Sequence, residues 1–165
     1  MKRLLLAAAA CLLTASPVIS SAAWAQTVIL VRHAEKADDS RDALLSVEGQ
    51  ARAEALARTL AGGLPDHIFT SPMQRTILTA APTAEAAVVT SQAFGFENGL
   101  PAHVEAVAAA VRALPDDAVV LIVEHSNVVP LIARALGYDA ADVPECEFDR
   151  LTRLQVQGAS VMAVV

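Results

Sequence analysis

The chain is poor in sulfur, poor in positive charge and without an apolar run long enough to cross a membrane, and each shortage excludes something. Its cysteines number two, Cys11 and Cys146. If the N-terminal segment is removed, Cys146 stands alone, no intrachain disulfide can form, and the core must hold the fold by itself. Twelve Lys and Arg face eighteen Asp and Glu, with no basic cluster, a poor composition for a nucleic-acid binder. The first apolar run, Leu4 to Leu13, is interrupted by Thr14, Ser16 and Pro17, well short of the roughly 20 residues that a spanning helix needs. No internal repeat or low-complexity linker follows it.

What is present at the N-terminus reads as a secretory signal peptide: Lys2 and Arg3, the apolar run, then Ala23-Trp24-Ala25 as a small-residue cleavage site. Cys11 is followed by more apolar residues, Leu12 and Leu13, and so belongs to that run rather than to a lipoprotein site. The expectation is a signal peptide at 1–25, a periplasmic or secreted product, and no stable membrane insertion after cleavage. The remaining 140 residues, 26–165, make one ordinary domain that buries roughly two thirds of its unfolded surface. Loss of Lys2 and Arg3 leaves 10 basic against 18 acidic side chains, a net charge of −8. The positions of its few arginines therefore carry information.

In Val28 to Lys36, VILVRHAEK, four apolar, mostly β-branched residues switch abruptly to charge, the pattern of a buried strand that delivers Arg32 and His33 to a sheet edge. Ligands of open α/β sheets bind just outside the carboxyl ends of strands. Asp38 to Asp42 reads as a loop, Ser46 as the N-cap of a helix to about Ala61, and Gly62-Gly63 as its end. His67 to Thr70 is a short strand; Ser71-Pro72 offers a capping hydroxyl and an N1 proline for a second helix to about Ala86, kinked or restarted at Pro82. Arg75 falls in its first turn.

Val88 to Thr90 reads as a further strand and Phe94 to Gly99 as a loop carrying Glu97. Pro101 opens a third helix with a core stripe of Val104, Val107, Ala108, Val111 and Leu114. Ala118 to Val123 is the most apolar segment, a central strand that again ends in charge, Glu124 and His125. Ser126 or Asn127 is placed to cap the next helix, which Gly137 closes. Cys146 to Val156 and Ser160 to Val165 read as two closing strands. Alternating strands and helices imply an α/β fold, a three-layer α/β/α sandwich with a mostly parallel central sheet.

Three strand ends thus carry Arg32 with His33, Arg75, and His125. Two arginines forking onto phosphate oxygens, beside a helix N-terminus, would hold a phosphoryl group. One histidine is then available as a neutral nucleophile; the other, as imidazolium, would stabilise charge on the transferring oxygens. No metal or other cofactor is expected, since no histidine pair shows ligand spacing. These residues resemble the histidine phosphatase superfamily, also called phosphoglycerate mutase-like. Arg32-His33-Ala34-Glu35 is similar to its first signature, Leu45-Ser46-x-x-Gly49 with Ala53 to its first-helix pattern, Ser71-Pro72 with Arg75 and Thr79-Ala80 to its second stretch, and His125-Ser126-Asn127 to its last.

The resemblance implies transient phosphorylation of His33 in a pocket lined by Arg32, Arg75 and His125, with Ser71 and Asn127 at family positions close to the phosphate. It also implies a carboxylate that protonates the leaving oxygen. Glu97 occupies roughly the expected region, and Glu35 is the second choice. His67 and His103 match nothing in the pattern and read as solvated. Glu124 stands where the family commonly has glycine; on a regular strand it points away from His125. A bend there would set a carboxylate beside the pocket, to repel substrate or raise the pKa of His125, and this is the sequence argument for the alternative of a non-catalytic phospho-ligand binder of low activity. No long insertion is present to shield a phosphohistidine, so a phosphatase acting on a small phosphorylated substrate is expected over a phosphomutase. Oligomeric state and substrate identity leave no mark in the sequence.

Overall fold

A computed structural model describes residues 25–158 and 160–164; the expected signal peptide lies, except for Ala25, outside the described residues. Six strands form one sheet in the order β3-β2-β4-β1-β5-β6. The parallel part comprises β1 (Gln26–Arg32), β2 (His67–Thr70), β3 (Gln92–Ala93) and β4 (Val119–Glu124); β5 (Leu151–Gln157) pairs antiparallel with β1, and β6 (Ser160–Val164) pairs antiparallel with β5. Strand alternation sorts the side chains into two cores. Val28, Leu30, Val120 and Ile122 pack against α3 (Leu100–Arg112) and α4 (Val129–Ala135). Ile29, Val31, Leu121 and Val123 meet Leu60 of α1 (Val47–Leu60) and Ala80 of α2 (Gln74–Ala87). The result is the expected α/β/α sandwich, with β1 and β4 at its centre because both are apolar on both faces.

Several local expectations are corrected. Helix α2 is not capped by Ser71: it begins at Gln74, whose amide is held by the Asp42 carboxylate at 2.7 Å from the loop after β1. It continues through Pro82 as one helix. The strand expected at Val88–Thr90 is displaced to Gln92–Ala93, because Val88 ends α2 in a left-handed conformation, φ 57°. Neither Ser126 nor Asn127 caps α4, whose N-cap is Val128. The chain from Cys146 to Arg150 is a loop rather than strand, because its carbonyls turn inward to receive Arg32.

Ser46 does cap α1, accepting from the Gly49 amide at 3.1 Å. The cap also joins α1 to the signature stretch, since the Ser46 amide donates to the Glu35 carbonyl at 2.9 Å. Gly49 makes that approach possible: a Cβ there would fall under 3.0 Å from the same carbonyl oxygen. Among the described residues no helix is long and apolar enough to cross a membrane.

Candidate active site

Register brings the two charged strand ends together. Arg32 of β1 lies opposite Glu124 of β4, and the His33 amide donates to the Glu124 carbonyl at 2.7 Å. His33 and His125 therefore leave the sheet side by side, their rings edge to face with centroids 5.4 Å apart. The cleft above them is lined by Arg32, His33, Arg75, His125, Asn127 and Glu145, with Lys36 and Arg41 at its side. A second depression, next to α1, shares only Arg32 with it and holds neither histidine.

His33 is buried, and its Nδ1 lies 2.7 Å from the Ala34 carbonyl. A carbonyl only accepts, so Nδ1 carries the proton and Nε2 is left with a lone pair. Burial, followed by the charges of Arg75, Arg32 and Lys36, lowers its pKa to about 4, which keeps it neutral near pH 7. The segment is braced from α2: the Thr79 hydroxyl accepts from the Ala34 amide at 2.9 Å and donates to the Arg75 carbonyl at 2.7 Å. One side chain thus ties the nucleophile loop to the turn that bears Arg75.

His125 presents Nε2 inward, 3.1 Å from the Ser71 hydroxyl, and its Nδ1 has no partner among the described residues. Burial first, then Arg75 and His33, lower its pKa to about 3. Ser71 is itself fully buried and bonded to Thr76, so it orients His125 instead of reaching the cleft; Asn127 is exposed there.

Arg32 differs from the free fork expected. Its Nη1 donates to the carbonyls of Pro144, Glu145 and Glu147 at 3.2, 2.7 and 3.2 Å, and Nη2 meets the Glu145 carboxylate at 3.0 Å. The guanidinium lies 4.0 Å over the Phe148 ring. Arg75 is less committed, donating to the Arg41 carbonyl at 3.0 Å. Glu145 bridges Arg32 and the Ser126 hydroxyl, at 2.6 Å, and these contacts lower its pKa although its side chain is 83% exposed.

The structure does not bring the expected proton donors into this cleft. Glu97 is exposed, folds back over Gly95 and lines a separate depression beside α3. Glu35 is gripped by Arg52 at 2.6 to 2.9 Å, which lowers its pKa. His67 is half-buried at the start of β2. His103, expected in solvent, is buried in α3 and bonded to Glu124 at 3.1 Å. Its place four residues before Val107 on the core stripe was the available signal. No cluster able to hold a metal ion occurs among the described residues.

Comparison with known proteins accords with this architecture. The profile of the Histidine phosphatase superfamily (branch 1) matches residues 28–94, the stretch that contains Arg32, His33, Ser71 and Arg75. No curated protein matches the chain. Solved structures that resemble it include a mycobacterial glucosyl-3-phosphoglycerate phosphatase complexed with VO3, at TM-score 0.67 and 15% identity over 86% of this chain and 98% of that one. A protein described as an alpha-ribazole-5'-P phosphatase from Escherichia coli gives TM-score 0.68 and 17% identity over 86% and 95%. The protein histidine phosphatase SixA complexed with tungstate gives 0.67 and 20% over 84% and 94%. At such identities the likeness is one of fold. Over residues 28–94 the chain is thus similar to the histidine phosphatase superfamily, and its fold is one that these solved phosphatases share.

Proposed function

We propose that the protein is a metal-independent phosphatase that hydrolyses a phosphomonoester through a phosphohistidine on His33. The observation that carries this reading is the Ala34 carbonyl 2.7 Å from His33 Nδ1, which leaves Nε2 as the nucleophilic nitrogen in a cleft walled by Arg75, His125 and Arg32. Nε2 attacks phosphorus, the phosphorus–oxygen bond of the ester breaks, and the leaving oxygen takes a proton from His125 Nδ1. Water then attacks phosphorus, the phosphorus–nitrogen bond breaks, phosphate departs, and the water proton returns to His125. Arg75 and His125 supply the positive charge that the transferring oxygens require, so the reading calls for no metal. The relatives of like fold solved with VO3 and tungstate support it, both being oxyanions of phosphate-like shape. We also read the chain as exported, with a mature N-terminus at Gln26 that mass spectrometry of the secreted protein checks.

The test is turnover of a chromogenic aryl phosphate in the presence of chelator, beside His33→Ala. The expected result is turnover by the parent alone; equal rates from both proteins would exclude the mechanism. One observation favours a second reading, a phospho-ligand binder without turnover: the Glu145 carboxylate already occupies Arg32. That reading predicts phosphate binding by calorimetry and no turnover.

A further inference from the structure

Glu124 is the last residue of β4 and continues the face of Val120 and Ile122, so its carboxyl group enters the layer beneath α3 with no exposure at all. Alternation alone would separate it from His125. The strand ends at Glu124, however, and the His125 ring turns back until its Nε2 lies 3.9 Å from Glu124 Oε2. The other oxygen, Oε1, is 3.1 Å from His103 Nε2, and His103 Nδ1 is 3.0 Å from the Gly95 carbonyl. Phe96 stacks on the His103 ring at 3.9 Å and seals it from water.

The Gly95 carbonyl only accepts, so His103 Nδ1 carries a proton. Nε2 then either donates to an ionised Glu124 or accepts from a protonated one; the pair holds the same protons in both cases, and in the ionised form its negative end, Glu124 Oε2, is the end turned toward His125. Burial raises the Glu124 pKa, and although burial opposes a charged His103, its bond to Glu124 raises that pKa too, so the two titrate as one unit. Two ionisable groups in a core are rarely favourable for stability alone. Moreover, Oε2 is buried and has no hydrogen-bond partner among the described residues, and it is the oxygen aimed at His125.

His125 faces Arg32 and His33 from β1 and its exit, Arg75 from α2, His103 from α3 and Glu124 from β4, with Glu145 across the cleft. Burial, then the surrounding positive charge of Arg75, hold the pKa of this ring down and keep it neutral. We propose that Glu124, held by His103, is the counter-ion that allows His125 to stand as an imidazolium once a phosphate fills the cleft, an inference that rests on the phosphatase reading above. Both are positioning residues, acting through His125. A phosphomonoester monoanion gives its proton to Nδ1 and becomes the dianion; Nε2–H then faces Glu124 Oε2 and Ser71, and Nδ1–H faces the phosphate. No proton is created or lost.

Glu124→Gln keeps the shape: its amide donates to the His103 Nε2 lone pair, and a neutral amide oxygen replaces the carboxylate oxygen that faces His125. As pH rises through the His125 pKa in the complex, kcat falls; loss of the counter-ion lowers that pKa, so the alkaline limb of kcat moves down by about 1 to 3 units, the range that a charge at such distance produces. Nitrogen-15 shifts of His125 in protein saturated with inorganic phosphate at neutral pH report imidazolium in the parent and neutral ring in Glu124→Gln. A pH profile superimposable on the parent's, with kcat merely scaled, would overturn the proposal. Should Glu124→Gln not fold, a neutral His125 in the phosphate-saturated parent overturns it equally. Failure of the phosphatase reading is distinguishable, because it shows as absent turnover in the parent, whereas the phosphate-saturated spectrum needs none.

Discussion

Replacing Gly49 by alanine tests how closely the first helix supports the nucleophile loop. The new Cβ would lie 3.1 Å from both the carbonyl carbon and the amide nitrogen of Glu35, and closer still to its oxygen. These are backbone atoms, already fixed by the Ser46 amide, so no flexible side chain can yield. Overpacking of this kind costs about 1 to 3 kcal/mol, against about 1 kcal/mol gained from the better helix propensity of alanine. A clash this close to a backbone oxygen belongs at the upper end of that range, so the net expectation is a loss approaching about 2 kcal/mol, on the order of 5 °C in Tm for a domain of this size. Because Glu35 is two residues from His33, a shift approaching 1 Å should also lower kcat on the order of 100-fold. Gly63→Ala is the control, since nothing lies within 4 Å of a Cβ there; its stability should stay within about 0.5 kcal/mol of the parent. Urea denaturation and aryl phosphate turnover measure both quantities. A Gly49→Ala protein as stable and as active as the parent would refute the reasoning.

Thr79→Val removes the acceptor of the buried Ala34 amide, so it should cost about 1 to 3 kcal/mol in urea titrations and reduce kcat, while Thr79→Ser restores both. His33 and His125, with pKa values near 4 and 3, bind fewer protons folded than unfolded below pH 6.5. Their stabilisation is therefore complete above pH 6.5 and is lost as pH falls toward 3, each contributing on the order of 3 to 5 kcal/mol. Denaturation midpoints at pH 7 and pH 5 should differ accordingly, and equal midpoints would contradict the shifts. Lys36→Ala with Arg41→Ala should raise KM a few-fold and weaken its dependence on salt, because both side chains border a cleft in an acidic protein. An unchanged KM at low ionic strength would argue against that steering.

The central features were legible where apolar runs end abruptly in charge. Val28 to Val31 and Ala118 to Val123 read as buried strands, and their last residues brought Arg32, His33 and His125 together because β1 and β4 are neighbours. Less legible was anything that depends on distant chain. The loop at 144–147 that engages Arg32 comes from 112 to 115 residues away, and nothing in its composition announces an inward turn of carbonyls. Ser71 carries a helix-capping pattern, yet Asp42 from another loop takes the cap and frees Ser71 to orient His125. Alternation set Glu124 and His125 on opposite faces; Glu124 does continue the face of Val120 and Ile122, but the rule fails one residue later, where the strand stops and the His125 ring turns back toward it. Glu97 lies in the expected loop, but that loop turns its carboxylate outward, over Gly95.

The most direct test is to trap the covalent intermediate. The parent protein is mixed with an aryl phosphate for milliseconds, quenched in alkali, digested and analysed by mass spectrometry. The account predicts a phosphoryl group on the peptide that contains His33, stable in alkali, released by acid and absent from His33→Ala. Turnover with no phosphoryl group on His33 at any quench time, or with one on His125 instead, would contradict it.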